Sequence, residues 1–197
     1  TIAVEAFSNS NTLTHSQFVE RKTKDAIVDY FRDSFGSRLD VDIKRPDVKI
    51  YVHINNDICN VFLNSSGTPL YYRGYNKRIG IAPLNDILAA GIVKMSKWDG
   101  SIPLYDPMCG SGTILSEAYM IANNIPPTIF REYFSFKNWK NYDSSMWYEI
   151  RNNAKQNIEN NNPIIFGSDL NKKILSDTKI NLNRVDDNNK IKIFNAD

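Results

Sequence analysis

The sequence predicts an α/β chain in which a small α+β module precedes part of a doubly wound sheet. Three patterns carry that prediction. A helical spacing over residues 16–31 gives way to strict alternation over 48–54. Residues 102–123 read as strand, glycine loop and helix. Two further apolar runs, 164–168 and 191–195, are separated by a helical stretch over 172–183, and strands alternating with helices imply parallel pairing through right-handed crossovers.

In residues 16–31, Phe18, Val19, Ala26, Ile27, Val28 and Phe31 recur at roughly helical spacing among charges, with Thr14 or Ser16 available as the N-cap and Gly36 as the stop. Val48, Ile50, Val52 and Ile54 then alternate with Lys49, Tyr51 and His53, the period of a half-buried strand. Asn55-Asn56-Asp57 turns the chain and residues 58–63 return. Residues 1–66 therefore read as a helix followed by a β-hairpin, too small for a complete domain. The run Asn64-Ser65-Ser66-Gly67-Thr68-Pro69 breaks the pattern. After it, Tyr71-Tyr72-Arg73-Gly74-Tyr75-Asn76-Lys77-Arg78 interleaves tyrosines with cations and is read as a linker. A helix over about 84–97 follows, with Pro83 near its first turn and Leu84, Ile87, Leu88, Gly91 and Ile92 on one face, so residues 67–100 form linker and helix and 101–197 the sheet region.

Composition narrows the class. The chain has 197 residues, 42% hydrophobic and 23% charged, as in soluble globular proteins. No apolar run approaches the roughly eighteen residues of a membrane span. Thr1-Ile2-Ala3-Val4-Glu5 lacks the basic and apolar regions of a leader, so a cytoplasmic location without membrane attachment is expected. Cys59 and Cys109 fall in different elements, and neither His15 nor His53 has a ligand partner at helical spacing, so no metal is expected. The net charge of +2 is too small to argue for nucleic acid by itself. A chain that starts with Thr and stops just after a strand is expected to be a piece cut at both ends.

Chemistry concentrates in Asp106-Pro107-Met108-Cys109-Gly110-Ser111-Gly112-Thr113. The glycines allow tight turning and close approach of a ligand to backbone, and the helix beyond them offers unpaired N–H groups. Neither Gly-x-Gly-x-x-Gly nor a Gly-Lys-Ser/Thr end is present, and the missing lysine argues against phosphate. Asp106 at a strand end suits a cationic ligand, and the amino-acid portion and sulfonium of S-adenosyl-L-methionine (AdoMet) fit better than a pyrophosphate. Asp169 follows the next strand, where a carboxylate can accept both ribose hydroxyls. Asp197 follows the third, placed to accept from an adenine amine. Each aspartate alone could be a helix cap or a solvated loop residue; the repetition at three strand ends carries the reading.

The run Leu104-Tyr105-Asp106-Pro107-Met108-Cys109-Gly110-Ser111-Gly112-Thr113-Ile114, with Tyr72-Arg73-Gly74-Tyr75, Ala82-Pro83-Leu84 and Asn124-Ile125-Pro126-Pro127, resembles the THUMP-containing RNA guanine-N2 methyltransferases, and among them those of bacterial large-subunit ribosomal RNA. Nearly the whole chain is covered. Residues 1–66 resemble the C-terminal part of the RNA-binding THUMP module, and 101–197 the N-terminal half of a class I, Rossmann-like methyltransferase sheet. The resemblance implies an RNA partner, AdoMet as cofactor, and Asp106, Gly110, Ser111, Gly112, Asp169 and Asp197 as its contacts. Asn76 stands where the family usually has arginine, which weakens that position as an RNA contact.

Methylation of an exocyclic amine in this family uses Asn or Asp followed by Pro-Pro and an aromatic. Asn124-Ile125-Pro126-Pro127 has one residue too many and reads as a helix stop, and Asn162-Pro163 has a single proline. The catalytic residues are therefore expected beyond Asp197, and residues 1–197 alone are expected to be inactive. The expected activity is methylation of a guanine N2 amine in large-subunit ribosomal RNA. The alternatives are the corresponding tRNA reaction and a noncatalytic RNA-binding module that retains the fold. Two readings stand for Tyr71 to Arg78: RNA contact through Arg73, Tyr75, Lys77 and Arg78, or tyrosines packed on the next helix. The aromatics Phe130, Tyr133, Phe134, Phe136, Trp139 and Trp147 read as core before base platform, and Cys109 as a small packing residue before a nucleophile.

Overall fold

The computed structural model describes residues 1–56, 58–77, 83–186 and 188–196. They form two compact units, Thr1–Thr68 with Tyr133–Asp143, and Pro69–Glu132 with Ser144–Asp197.

The first unit is a three-stranded sheet, β1 (Ile2–Asn9), β2 (Val48–Asn55) and β3 (Ile58–Leu63), crossed by α1 (Ser16–Phe35). Its hairpin follows the alternation: β2 pairs antiparallel with β3, and Ile50, Val52 and Ile54 face a core shared with Val4 and Val19. Helix α1 ends at Gly36, whose φ of 67° and N–H bond to the Arg32 carbonyl form a left-handed cap. Its N-cap is His15, not Thr14 or Ser16; the Ser16 hydroxyl instead accepts from the Ser8 N–H. The helix-plus-hairpin reading lacked β1, which runs parallel to β2 from Ile2 opposite Val48 to Asn9 opposite Asn55. Ile2, Ala3 and Val4 are all buried in succession, so β1 shows no alternation at its start.

In the second unit, β4 (Leu104–Asp106), β5 (Ile165–Asp169) and β6 (Lys192–Asn195) lie in that order, all parallel. The helices are α2 (Asp86–Met95), α3 (Thr113–Ala122), α4 (Ser144–Gln156) and α5 (Lys172–Leu182). Leu115, Ala118 and Tyr119 of α3, Ile165 of β5, Leu182 of α5 and Ile191 make the core. These packed elements place the ends of all the parallel strands on one side, where functional groups gather in open α/β sheets.

Two expectations are corrected. Helix α2 buries Asp86, Ala89 and Val93 and leaves Ile87, Leu88 and Ile92 at 52%, 55% and 43% exposure. The small Ala89 lies on the buried face, and the bulkier residues are left partly exposed. The segment from Pro69 to Lys77 is also not a free linker, for it belongs to the second unit and Tyr75 is wholly buried there. The aromatic-rich stretch 130–147 divides: Tyr133–Asp143, including a 3₁₀ turn at Ser135–Asn138, clusters with the first unit, and Phe134 is buried. Among the described residues no helix is long and apolar enough to cross a membrane.

Leu115 is fully buried. Its truncation to alanine is expected to remove about 2–5 kcal/mol of stability, read as a lower urea midpoint at unchanged slope; a loss below about 1 kcal/mol would mean that this core is loosely packed.

Candidate functional site

The strand β4 is short because Pro107 follows Asp106, and the chain then turns through Gly110 (φ 51°) and Gly112 (φ 83°) into α3. Neither conformation suits a residue with a Cβ. A Cβ on Gly112 would lie 2.8 Å from Thr178 Cγ2, so this turn also needs the absence of a side chain for packing against α5. A Cβ on Gly110 would meet nothing within 4 Å, which leaves the backbone there open to a ligand.

The loop is fastened at both sides. Cys109 N–H donates to the Ser168 carbonyl at 2.8 Å, and Gly110 N–H donates to Asp169 Oδ2 at 3.1 Å, joining it to β5. The Thr178 hydroxyl donates to the Gly110 carbonyl, and Asn181 Nδ2 donates to the Ser111 carbonyl at 3.2 Å, joining it to α5. Thr178 and Asn181 are both fully buried. Sequence reading passed over them, although polar residues three apart on the inner face of a helix are a signal for such a role. It also passed over Gly167, where a Cβ would come 2.5 Å from Leu115 Cδ1.

Asp106 and Asp169 thus come to one loop, as the strand-end placement anticipated. Burial lifts the Asp106 carboxyl above its usual value, the Met108 N–H bond at 3.1 Å opposes this, and the Asp169 charge adds to the rise. A partly buried carboxylate with a second carboxylate beside it forms a place where a cation is welcome. Asp169 Oδ1 accepts from Asn171 N–H at 2.9 Å, yet each carboxylate oxygen retains acceptor capacity. Helix capping falls to Asn171, whose side chain accepts from Lys173 and Ile174 N–H. Ser111 lies in the loop itself, beside a cleft of about 250 Å³ that Arg73, Asn76 and Asp86 also line. Asp197 lies outside the described residues, as does Arg78.

Of the proposed RNA contacts, Tyr75 is 0% exposed and its hydroxyl donates to Glu117, so the ring offers no face to a base. Arg73 is likewise turned inward onto Glu117, while Lys77 is exposed and uses only its backbone N–H, on Asn181. Asn124 adopts φ 51° after α3 and donates to the Asn157 carbonyl, the behaviour of a helix stop.

Burial, with Asp106 and Asp169 nearby, pushes the Cys109 thiol up to about 12. At pH 8 roughly one part in ten thousand would be thiolate. Alkylation mapped by peptide mass is therefore expected to label the exposed Cys59 in the folded protein and Cys109 only after unfolding; prompt labelling of Cys109 would contradict its burial.

Known proteins resemble both parts of the chain. Residues 73–197 match the family described as RMKL-like, methyltransferase domain, and residues 1–64 match the THUMP domain. A Synechocystis protein assigned as an RNA methyltransferase, slr0064, is 36% identical over 92% of this chain and 47% of its own length. The ribosomal RNA large subunit methyltransferase K/L of Psychromonas ingrahamii is 37% identical over 93% of this chain and 25% of its own. The chain thus spans about half or less of these relatives. Among solved structures, one from Listeria monocytogenes assigned as an N6-adenine-specific DNA methylase superposes with a TM-score of 0.86 at 28% identity, over 100% of this chain and 52% of that one. SMU.472, assigned as a methyltransferase and complexed with SAH, superposes with a TM-score of 0.83 at 26% identity, over 99% of this chain and 52% of that one. With the glycine turn and its two carboxylates inside the matched region, the chain belongs to the RMKL-like methyltransferase family, its methyltransferase domain preceded by a THUMP domain.

Proposed function

We propose that the loop at the ends of β4 and β5 binds AdoMet, and that the chain is the cofactor-holding part of an enzyme that methylates the N2 amine of a guanine in large-subunit ribosomal RNA. The observation that carries this reading is the meeting of Asp106 and Asp169 at an open glycine turn. The fit is chemical: anionic side chains for a cationic ligand, backbone exposed at Gly110, and no lysine for a phosphate. The SAH complex of SMU.472 and the name of the Psychromonas relative support cofactor and acceptor respectively.

Bound AdoMet would supply a methyl group made electrophilic by its sulfonium. Asp169 has the position to accept from the ribose hydroxyls, with its backbone bonds holding the carboxylate in place. Asp106 would hold the cationic part of the ligand, and Asp197 would take the adenine amine. Gly110 would bring backbone to the ligand without a side chain in the way, with Ser111 and Gly112 completing the turn. In-line displacement needs alignment more than acid or base groups, so such fixed placement is the contribution these residues make. The amine-holding Asn/Asp-Pro-Pro-aromatic motif is absent from residues 1–197, which on this reading bind cofactor without turning it over. A second acceptor has one specific support: the Listeria structure is assigned to adenine N6 of DNA, also an exocyclic purine amine.

Titration calorimetry with SAH on the full-length protein is expected to show at least about tenfold weaker binding for Asp169→Ala, the worth of one or two hydrogen bonds to a charged group. Equal affinities would remove the cofactor assignment. Deletion of the gene should erase one N2-methylguanine from large-subunit ribosomal RNA; loss from tRNA instead, or of N6-methyladenine from DNA, would reassign the acceptor.

A further inference from the structure

Residues 73–77 are held by an unusual number of buried polar contacts, and Glu117 of α3 is at their centre. Glu117 is 2% exposed. Its Oε1 accepts from the Tyr75 hydroxyl at 2.9 Å and from Arg73 Nε at 3.2 Å, and its Oε2 accepts from Arg73 Nη2 at 3.5 Å. Gly74, between them, has φ 94°, and a Cβ on it would lie 2.7 Å from the Phe130 carbonyl oxygen, so the bend requires glycine. Asn76 Nδ2 and Arg73 N–H both donate to Asp86, at 2.9 and 3.4 Å. Lys77 N–H donates to Asn181 Oδ1 at 3.0 Å, and the same Asn181 amide donates to the Ser111 carbonyl. The run is therefore tied to the glycine loop by two routes, through α3 and through α5.

Stability alone does not account for this arrangement. Burying a carboxylate and a guanidinium costs several kcal/mol, and apolar replacements of such pairs are often neutral or stabilising. Burial in fact lifts the Glu117 carboxyl above its usual value, with Arg73 and Tyr75 pulling it back and Asp86 adding to the rise. What the pair does supply is orientation: a fork of guanidinium N–H groups and one hydroxyl fix the backbone from Arg73 to Asn76. Arg73, Gly74 and Asn76 line the cleft of about 250 Å³ that Ser111 also lines. Arg73 and Asp86, residues of opposite charge as an α-amino acid has, both line that cleft.

We propose that Glu117 is a positioning residue which, through Arg73 and Tyr75, sets the fit of the amino-acid end of the cofactor and not of its nucleoside. This rests on the AdoMet reading above. The experiment measures, on the full-length protein, the affinities for SAH and for 5′-methylthioadenosine, which keeps the nucleoside and the sulfur but lacks the amino-acid portion. Wild-type protein that binds neither ligand overturns the AdoMet reading and this inference with it. Given binding by wild type, Glu117→Gln is expected to weaken SAH about tenfold while leaving methylthioadenosine within about twofold, because the change reaches only one end of the ligand. Equal losses for both ligands, as from a general loosening of the fold, overturn the proposal, as does an unchanged SAH affinity. Should Glu117→Gln not fold, Tyr75→Phe removes one hydroxyl from the same carboxylate and is judged by the same ratio, with a smaller SAH loss expected and equal effects on both ligands overturning it.

Discussion

The contact between Gly112 and Thr178 is the constraint on which the second unit depends. The space that a Cβ would take at Gly112 is already filled by Thr178 Cγ2, 2.8 Å away, and by Leu182 next to it. Helix α5 can therefore press directly on the turn that starts α3. That approach brings the Thr178 hydroxyl to the Gly110 carbonyl and the Asn181 amide to the Ser111 carbonyl. Carbonyls of a tight turn would otherwise need water, and buried side chains of α5 satisfy them instead. One missing methyl group thus links core packing to the presentation of the site.

Electrostatics builds on that rigidity. Asp106 ends β4 and Asp169 ends β5, and parallel pairing sets Asp106 opposite Gly167, only two residues before Asp169. The two carboxylates cannot move apart, since Asp169 holds Gly110 N–H and Asn171 N–H while Asp106 holds Met108 N–H. Burial first, and then the charges of Asp106 and Asp169, disfavour the Cys109 thiolate. Cys109 instead packs in the core with Leu115, beneath the turn.

What could be read from the sequence followed from local periodicity. Strict alternation located β2, the turn after it pointed to β3, and the strand–glycine–helix spacing located β4 and α3 with Asp106 at the junction. Asp169 was legible because a strand end is a position that sequence can mark. The failures came where tertiary contact overrides pattern. Strand β1 buries Ile2, Ala3 and Val4 in a row, which period-two reasoning does not recognise. Helix α2 buries its small face, with Ala89 at 0% exposure, and so inverts the bulk-hydrophobic rule. Tyr75 and Arg73 look in sequence like surface groups for RNA because interleaved tyrosine and cation do not report burial; the acidic partner that draws them inward, Glu117, lies more than forty residues later.

Glu117, Thr178 and Asn181 share one property that makes them detectable in retrospect. Each is a polar residue on the inner face of a helix, where leucine or valine would add more to the core. The desolvation such residues suffer is offset only when every polar atom finds a partner of the right geometry, which is a demanding and therefore specifying condition. Each of the three makes a bond to the glycine turn or to the run 73–77. The fold is thus most polar inside where it must be most exact, and the apolar core of Leu115, Ile165 and Leu182 supplies the stability that permits it.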